Sequence, residues 1–244
     1  MAIAQRLSQL AAVALAALAL AATADEAAVR QTVSRVFPQS QIKGIAPTPV
    51  AGLFEAAVDD RIYYVSGDGR YVLGGPLIDA LNQTNLTEAR LAKLNAIPWA
   101  SLPLDLAIRR VVGAGTRRIA IFEDPDCPYC KQLEQTLAGV GDLTIYVLLY
   151  PLDELHPRAA EKSKAVWCAK DRAKAWAEVM RSGVAPANVG PCDNPIAKIA
   201  EFGRRHRIAG TPTIILADGR RLVGAVPREQ LEKELSRVEK PGTN

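Results

Sequence analysis

The stretch Ile119-Ala120-Ile121-Phe122-Glu123-Asp124-Pro125-Asp126-Cys127-Pro128-Tyr129-Cys130 runs from a solidly apolar segment, through an acidic loop, into two thiols spaced three apart. An apolar run of this length bounded by a loop reads as a buried strand, and Pro128 suits the first position of a helix, where its missing N–H costs nothing. On a helix, residues i and i+3 share a face with Cβ atoms about 5–6 Å apart, so a disulfide between Cys127 and Cys130 can form and open with little backbone movement. Exchange chemistry runs through a thiolate, which the unpaired N–H groups and positive dipole end of a helix N-terminus favour. Cys127 is therefore expected to be an exposed nucleophile, and Cys130, one turn further in, the less exposed resolving thiol.

Working outward, a helix from Pro128 to about Val140 and a second apolar strand, Leu143–Leu149, complete a strand–helix–strand unit with a parallel pair. A Cys-x-x-Cys opening a helix inside such a unit is a specific sign of a thioredoxin-like redox site. The chemical rival is zinc, since the same spacing supplies half of a zinc site. Cys168 and Cys192 are far apart, however, and His156 and His206 make no ligand spacing with them, so neither a metal nor a cofactor is expected. A Cys–His nucleophilic pair has no better support. Gly113-Ala114-Gly115 precedes a strand where a dinucleotide loop must follow one, and reads as a turn.

Beyond the unit, helices are expected over residues 157–169, 172–181 and 196–205. Strands Thr213–Leu216 and Arg221–Val223 about the Asp218-Gly219 turn and a last helix over residues 228–238 close the chain. Cys127 and Cys130 close almost no chain, whereas a Cys168–Cys192 bridge would close a loop of about 25 residues, worth roughly 3–4 kcal/mol by loop entropy. The close pair is assigned to chemistry and the distant pair to a structural disulfide.

Residues 1–24, with Arg6 before an Ala/Leu run and the small-residue end Ala22-Thr23-Ala24, read as a cleaved signal peptide; the run is short for a membrane span. Export makes paired cysteines reasonable. The net charge of the 244-residue chain is only +4, and basic pairs such as Arg109-Arg110 and Arg204-Arg205 are too short to indicate nucleic acid.

The first part of the chain is different. Residues 25–37 carry a short helical stripe (Ala28, Val29, Val33, Val36), followed by strands at Leu53–Val58, residues 62–65 and residues 71–73, with Gly67-Asp68-Gly69 turning a hairpin. A unit of about 60 residues buries little surface, and pairing with a second copy would relieve that. A helix over residues 87–94, with Thr87 as its cap, and a connector punctuated by Pro98 and Pro103 lead on toward Arg110.

Three segments resemble one known family, the periplasmic disulfide isomerases of the DsbC/DsbG type. Residues 122–131 are similar to its active-site segment. Ala165-Val166-Trp167-Cys168-Ala169-Lys170-Asp171 is similar to the segment with the first structural cysteine of the DsbC branch. Gly210-Thr211-Pro212-Thr213 resembles the loop that faces the active site, where the proline is cis. The resemblance implies an α/β chain: a small α+β, cystatin-like dimerisation domain over residues 25–85, a linker helix over residues 86–110, and a thioredoxin fold with a helical insert over residues 111–240.

It further implies a homodimer that binds unfolded or misoxidised exported proteins in the periplasm, and a membrane thiol reductase of the DsbD type as partner. Thr211 and Pro212, with Pro128 and Tyr129 across from them, would dock a substrate strand beside Cys127. Two departures stand out. Pro128 between the cysteines is like DsbG, which leaves a DsbG-like reductase of single oxidised cysteines or a DsbA-like oxidase as alternatives to an isomerase, and the cleft of the implied dimer leaves a dimeric periplasmic chaperone as a third. Six residues before Cys127, where thioredoxins have a buried acid, this chain has Ile121, leaving Glu123, Asp124 or solvent to handle protons, with no general base assigned.

Overall fold

In a computed structural model, residues 25–187, 190 and 192–239 are described; the leader expected over residues 1–24 lies outside them. Contacts divide the chain into two compact units, one ending at Leu94 and one beginning at Asn95.

The first unit lays α1 (residues 25–36) on an antiparallel sheet whose four strands follow chain order: β1 (Ile42–Pro47), β2 (Leu53–Val58), β3 (Arg61–Ser66) and β4 (Val72–Gly74). Val29 and Val33 are fully buried against Ala56, Val58 and Val65. Thr32 between them donates its hydroxyl to the Gly69 carbonyl at 2.7 Å, tying the helix to the β3–β4 turn. Gly69 itself sits at φ +69°, with Ala28 backbone 2.9 Å from where a Cβ would stand, so a side chain there is excluded twice over. Val36, expected on the helix stripe, is exposed; Phe37 packs in its place, its ring 4.4 Å from that of Tyr63. Strand β1 was not expected, because Gly44 and Pro47 interrupt it. It is an edge strand with a register shift between Ile42 and Gly44, the setting in which such residues are tolerated.

A two-stranded ribbon, β5 (Ile78–Asp79) and β6 (Thr84–Asn85), leads into α2 (Leu86–Leu94). Asn85 rather than Thr87 caps this helix, its Oδ1 accepting from the Glu88 N–H at 3.1 Å. Thr87 Oγ1 instead accepts from the Leu77 N–H at 2.8 Å and bonds the Tyr64 hydroxyl. The linker helix expected over residues 86–110 is helical only to Leu94. Pro98 and Pro103, which cannot donate to a helix ladder, lead into single 3-10 turns at Trp99–Ser101 and Leu104–Leu106.

The second unit is a five-stranded sheet in the order β11-β10-β8-β9-β7, with β7 at Ile108–Val112, β8 at Arg117–Glu123, β9 at Leu143–Leu149, β10 at Thr213–Leu216 and β11 at Arg221–Val223. Strands β8 and β9 are parallel, joined by α3 (Pro128–Leu137); β10 runs antiparallel to β8 and β7 antiparallel to β9. The sheet therefore starts before Val111. Strand β7 escaped the sequence reading because Arg109 and Arg110 break its apolar pattern, as an edge position permits. Between β9 and β10 lies the helical insert: α4 (Ala159–Cys168), α5 (Arg172–Ser182) and α6 (Ile196–Arg205); α7 (Arg228–Glu239) ends the described chain.

Alternation along β8 builds two cores, one on each face of the sheet. Ile119 and Ile121 face α3, α5 and α7 through Leu133, Leu137, Trp176 and Leu231. Ala120 and Phe122 face α6 through Ile199 and Phe202. Phe122 is fully buried, stacked on Phe202 at 6.0 Å and edge-on to Tyr150 at 5.7 Å. Gly203 on α6 lies so close to Tyr150 that a Cβ there would meet ring carbon Cε2 at 2.3 Å. The tyrosine hydroxyl donates to the Ile208 carbonyl at 3.1 Å, which fixes the ring. Both faces of β8 being filled, its C-terminal end is held rigidly where the acidic loop begins.

Candidate active site

Cys127 is the N-cap of α3, with φ −70° and ψ 120°, and Pro128 follows at the first helical position. Its carbonyl accepts the first helical bond, from Lys131 N–H at 3.2 Å. The two thiols are unbonded to each other. Cys130 is fully buried in the helix's first turn, whereas Cys127 retains 4% of its surface exposed, less than expected for a nucleophile. The reason is the Thr211-Pro212 loop, whose cis peptide faces the helix; Cys127 Sγ donates to the Thr211 carbonyl at 3.4 Å. Pro212 is buried, Pro128 is exposed and Tyr129 is 61% exposed. Antiparallel pairing of Thr213 with Phe122 holds this loop in place. The fold thus brings together Cys127, Cys130, Thr211 and Pro212, with the exposed Pro128 and Tyr129 alongside.

The acidic loop has a structural purpose that the sequence reading missed. Asp124 is fully buried and accepts from the Asp126 N–H (2.7 Å), the Leu152 N–H (2.7 Å) and pairs with His156 Nδ1 (3.0 Å). Its own N–H points at Cys130 Sγ, 3.5 Å away, and its carbonyl accepts from the Cys127 N–H at 3.2 Å. Asp126 is held by Lys162 of α4 at 2.5 Å, and the same ammonium donates to the Gly183 carbonyl at 2.8 Å. His156, which offers no ligand spacing in the sequence, thus has a specific partner in Asp124; an Asp two residues before the Asp126 N–H is the local signal that points to such a turn. His206 lies against Phe202, with ring centroids 4.2 Å apart.

Electrostatics separate the two thiols' surroundings. Burial first, and then the neighbouring Glu123, push the Cys130 thiol far above its ordinary value, with the Asp124 N–H pulling the other way. Cys130 is therefore a protonated thiol at rest. Glu123 is the last residue of β8, fully buried, and neither carboxyl oxygen has a hydrogen-bond partner among the described residues. Burial and the Glu134 carboxylate hold it well above the usual carboxylate range against the opposing pull of Arg110. Away from the site, Cys168 at the end of α4 and Cys192 form a disulfide, with Cα atoms 5.7 Å apart.

A buried thiol pair opening a helix across from a cis-proline loop, on a sheet with one parallel pair and flanking helices, defines a thioredoxin-fold thiol–disulfide exchange protein. Comparisons with known proteins agree. A thioredoxin-like domain family matches residues 104–239 and the disulfide bond isomerase protein N-terminal domain matches residues 20–88. The chain is 32% identical to the thiol:disulfide interchange protein DsbC of Escherichia coli K12, over 93% of this chain and 94% of that one. It is 42% identical to a probable DsbC of Bordetella avium, over 86% of this chain and 74% of that one. The crystal structure of a disulfide interchange protein from Neisseria gonorrhoeae is 42% identical, with a TM-score of 0.54 over 56% of this chain and 97% of that one. The chain belongs to the DsbC family of thiol:disulfide interchange proteins, and its chemistry is thiol–disulfide exchange.

Proposed function

We propose that the chain rearranges wrong disulfides in exported proteins, with Cys127 as nucleophile and Cys130 as resolving thiol. The observation that carries this assignment is the placement of Cys127 at the α3 N-terminus, 3.4 Å from the Thr211 carbonyl, while Cys130 is sealed one turn inside. The Cys127 thiolate attacks one sulfur of a substrate disulfide, forming a mixed disulfide and releasing the substrate's other sulfur as thiolate. Either a second substrate thiolate then attacks the mixed disulfide and frees Cys127, which completes an isomerisation, or Cys130 attacks and leaves Cys127–Cys130 oxidised with the substrate reduced. The second route makes the enzyme depend on an external dithiol, for which a membrane reductase of the DsbD type is proposed.

An extended substrate segment lies along the Thr211-Pro212 loop, its main chain pairing with the loop backbone in place of the Cys127 thiol on the Thr211 carbonyl and its side chains meeting Pro128 and Tyr129; main-chain recognition makes the enzyme tolerant of sequence. The first unit, small and with exposed apolar residues Tyr71, Leu73 and Ile78, is assigned to homodimerisation, and residues 1–24 to export to the periplasm. No helix among the described residues is long and apolar enough to cross a membrane.

The test is recovery of activity from a scrambled multi-disulfide protein given catalytic amounts of wild type, Cys127→Ser or Cys130→Ser. Cys127→Ser is expected to be inactive and Cys130→Ser to retain part of the isomerase activity. Equal activity for wild type and Cys127→Ser removes the redox assignment, and suppression of aggregation by both leaves only chaperone action.

A further inference from the structure

The residue directly before Cys127 carries a charge that opposes the exchange reaction. The Asp126 carboxylate stands at the same end of α3 as the Cys127 sulfur, so two anions there draw on one dipole end and repel each other and any negatively charged disulfide that approaches. Of the three acids in this loop, Asp124 is engaged by the Asp126 and Leu152 N–H groups and by His156, and Glu123 is buried with its proton held tightly. Asp126 is paired instead with Lys162, the two side chains keeping only 21% and 12% of their surface exposed. This cation comes from the helical insert, in the first turn of α4, four residues after the N-cap residue Arg158, whose side chain makes no cap hydrogen bond. Two cations at a helix N-terminus run against the dipole, so the stability of α4 does not account for Lys162. Its second bond, to the Gly183 carbonyl at 2.8 Å, fastens the end of α5 to the same point. Lys131 of α3 reaches the same place, its Nζ 3.7 Å from where a Cβ on Gly183 would stand. Arg158, Lys162, Gly183 and Val184 line an open cavity of about 720 Å³, through which the charge at this point is felt by an arriving substrate.

We propose that Lys162 is a positioning residue for the exchange reaction: by pinning and neutralising the Asp126 carboxylate it keeps the approach to Cys127 open to anionic disulfides, so that substrate segments with acidic residues beside their cysteines are accepted. This rests on the assignment of Cys127 as nucleophile. With Lys162 in place, the Asp126–Lys162 pair contributes no net charge one residue from the attacking sulfur. Without it a full negative charge faces the incoming group, and the carboxylate is free to compete with the thiolate for the α3 N-terminus.

The test uses the full chain with Cys168–Cys192 intact and Cys130→Ser, which leaves Cys127 as its free thiol, and two probes: dithiobis(nitrobenzoate), a dianion, and dithiodipyridine, which is neutral. The Cys127 thiolate attacks one probe sulfur, the probe S–S bond breaks, and the other half leaves with the electron pair as an absorbing thiolate or thione. The ratio of the two second-order rates cancels whatever a substitution does to the thiol or to the fold, and reports charge. At low ionic strength and pH 7, Lys162→Met should lower the dianion-to-neutral ratio about fivefold, and Asp126→Asn, which leaves the cation unpaired, should raise it by about the same factor. Lys162→Arg, and Lys162→Met combined with Asp126→Asn, should each stay within about twofold of the parent. At about 1 M salt, where the screening length falls to about 3 Å, all variants should converge on the parent. A ratio unchanged in both single variants, moved in the same direction in both, or not restored in the combined variant overturns the role of Lys162; Asp126→Asn decides the matter even if Lys162→Met does not fold. Equally fast release from a chain carrying Cys127→Ser in place of Cys130→Ser instead overturns the assignment of the nucleophile.

Discussion

Asp124→Asn is the most informative perturbation of the loop that carries the cysteines. The substitution keeps size and shape, and Oδ1 can still accept from the Asp126 N–H. An amide nitrogen at the other position, however, faces the Leu152 N–H and the His156 ring nitrogen, so an acceptor held between two groups becomes a donor. One buried N–H loses its partner, which costs roughly 1–3 kcal/mol, and a hydrogen bond to a charged acceptor worth about 1.5–3 kcal/mol is lost with it; the two overlap, giving an expected destabilisation of about 2–4 kcal/mol. Flipping the amide only moves the mismatch to the Asp126 N–H. The three tryptophans, Trp99, Trp167 and Trp176, all lie after Leu94, so denaturant unfolding followed by tryptophan fluorescence reads the unit that contains Asp124. At roughly 2–4 °C per kcal/mol for a chain of this size, the melting temperature should fall by about 5–15 °C. His156→Gln, which removes only the partly exposed partner, should cost less than about 1 kcal/mol. A loss under about 0.5 kcal/mol for Asp124→Asn would refute the view that its carboxylate organises the loop.

The other expectations concern burial and cross-linking. Gly203→Ala places a methyl 2.3 Å from the Tyr150 ring, and should destabilise by about 1–3 kcal/mol in the same fluorescence assay, relieved in part by Tyr150→Leu. Cys168→Ser with Cys192→Ser opens a loop spanning 24 residues of sequence separation and should cost about 3.5 kcal/mol, measured against the oxidised wild type, while leaving recovery of activity from a scrambled disulfide protein in place. For Glu123 the folded chain holds its proton more tightly than the unfolded one. The group is neutral to stability below about pH 4.5. Above that, stability falls by about 1.4 kcal/mol per pH unit until the raised folded-state value is passed. Glu123→Gln should remove that slope in denaturant titrations at several pH values; an unchanged slope contradicts the burial of an uncompensated acid.

How far the sequence carried these conclusions depended on where each residue's neighbours come from. Strand β8, strand β9 and the Cys-x-x-Cys helix announce themselves locally, because Ile119–Phe122 is buried on both faces and Pro128 marks the helix start. The edge strands β1 and β7 do not: Gly44 and Pro47 in one, Arg109 and Arg110 in the other, are tolerated because one side of each strand is unpaired, and that is a property of the sheet. Thr87 has the composition of a cap, but Tyr64 and the Leu77 N–H claim its hydroxyl, leaving Asn85 the task. The site shows the same division. The cysteines and the Thr211-Pro212 loop were legible as motifs. The partnership of Asp124 with His156, of Asp126 with Lys162, and the seclusion of Glu123 arise from contacts across 32 and 36 residues and from the parity of one strand, none of which is written in local spacing.

Everything rests on unequal roles for the two thiols, and the most direct measurement is the site of the covalent intermediate. Reduced Cys130→Ser, mixed with a scrambled disulfide protein, quenched in acid and mapped by peptide mass spectrometry, should carry the substrate on Cys127. Cys127→Ser treated identically should carry none. An adduct on Cys130 in the Cys127→Ser protein, formed at a rate comparable to that of Cys127 in its counterpart, would contradict the assignment.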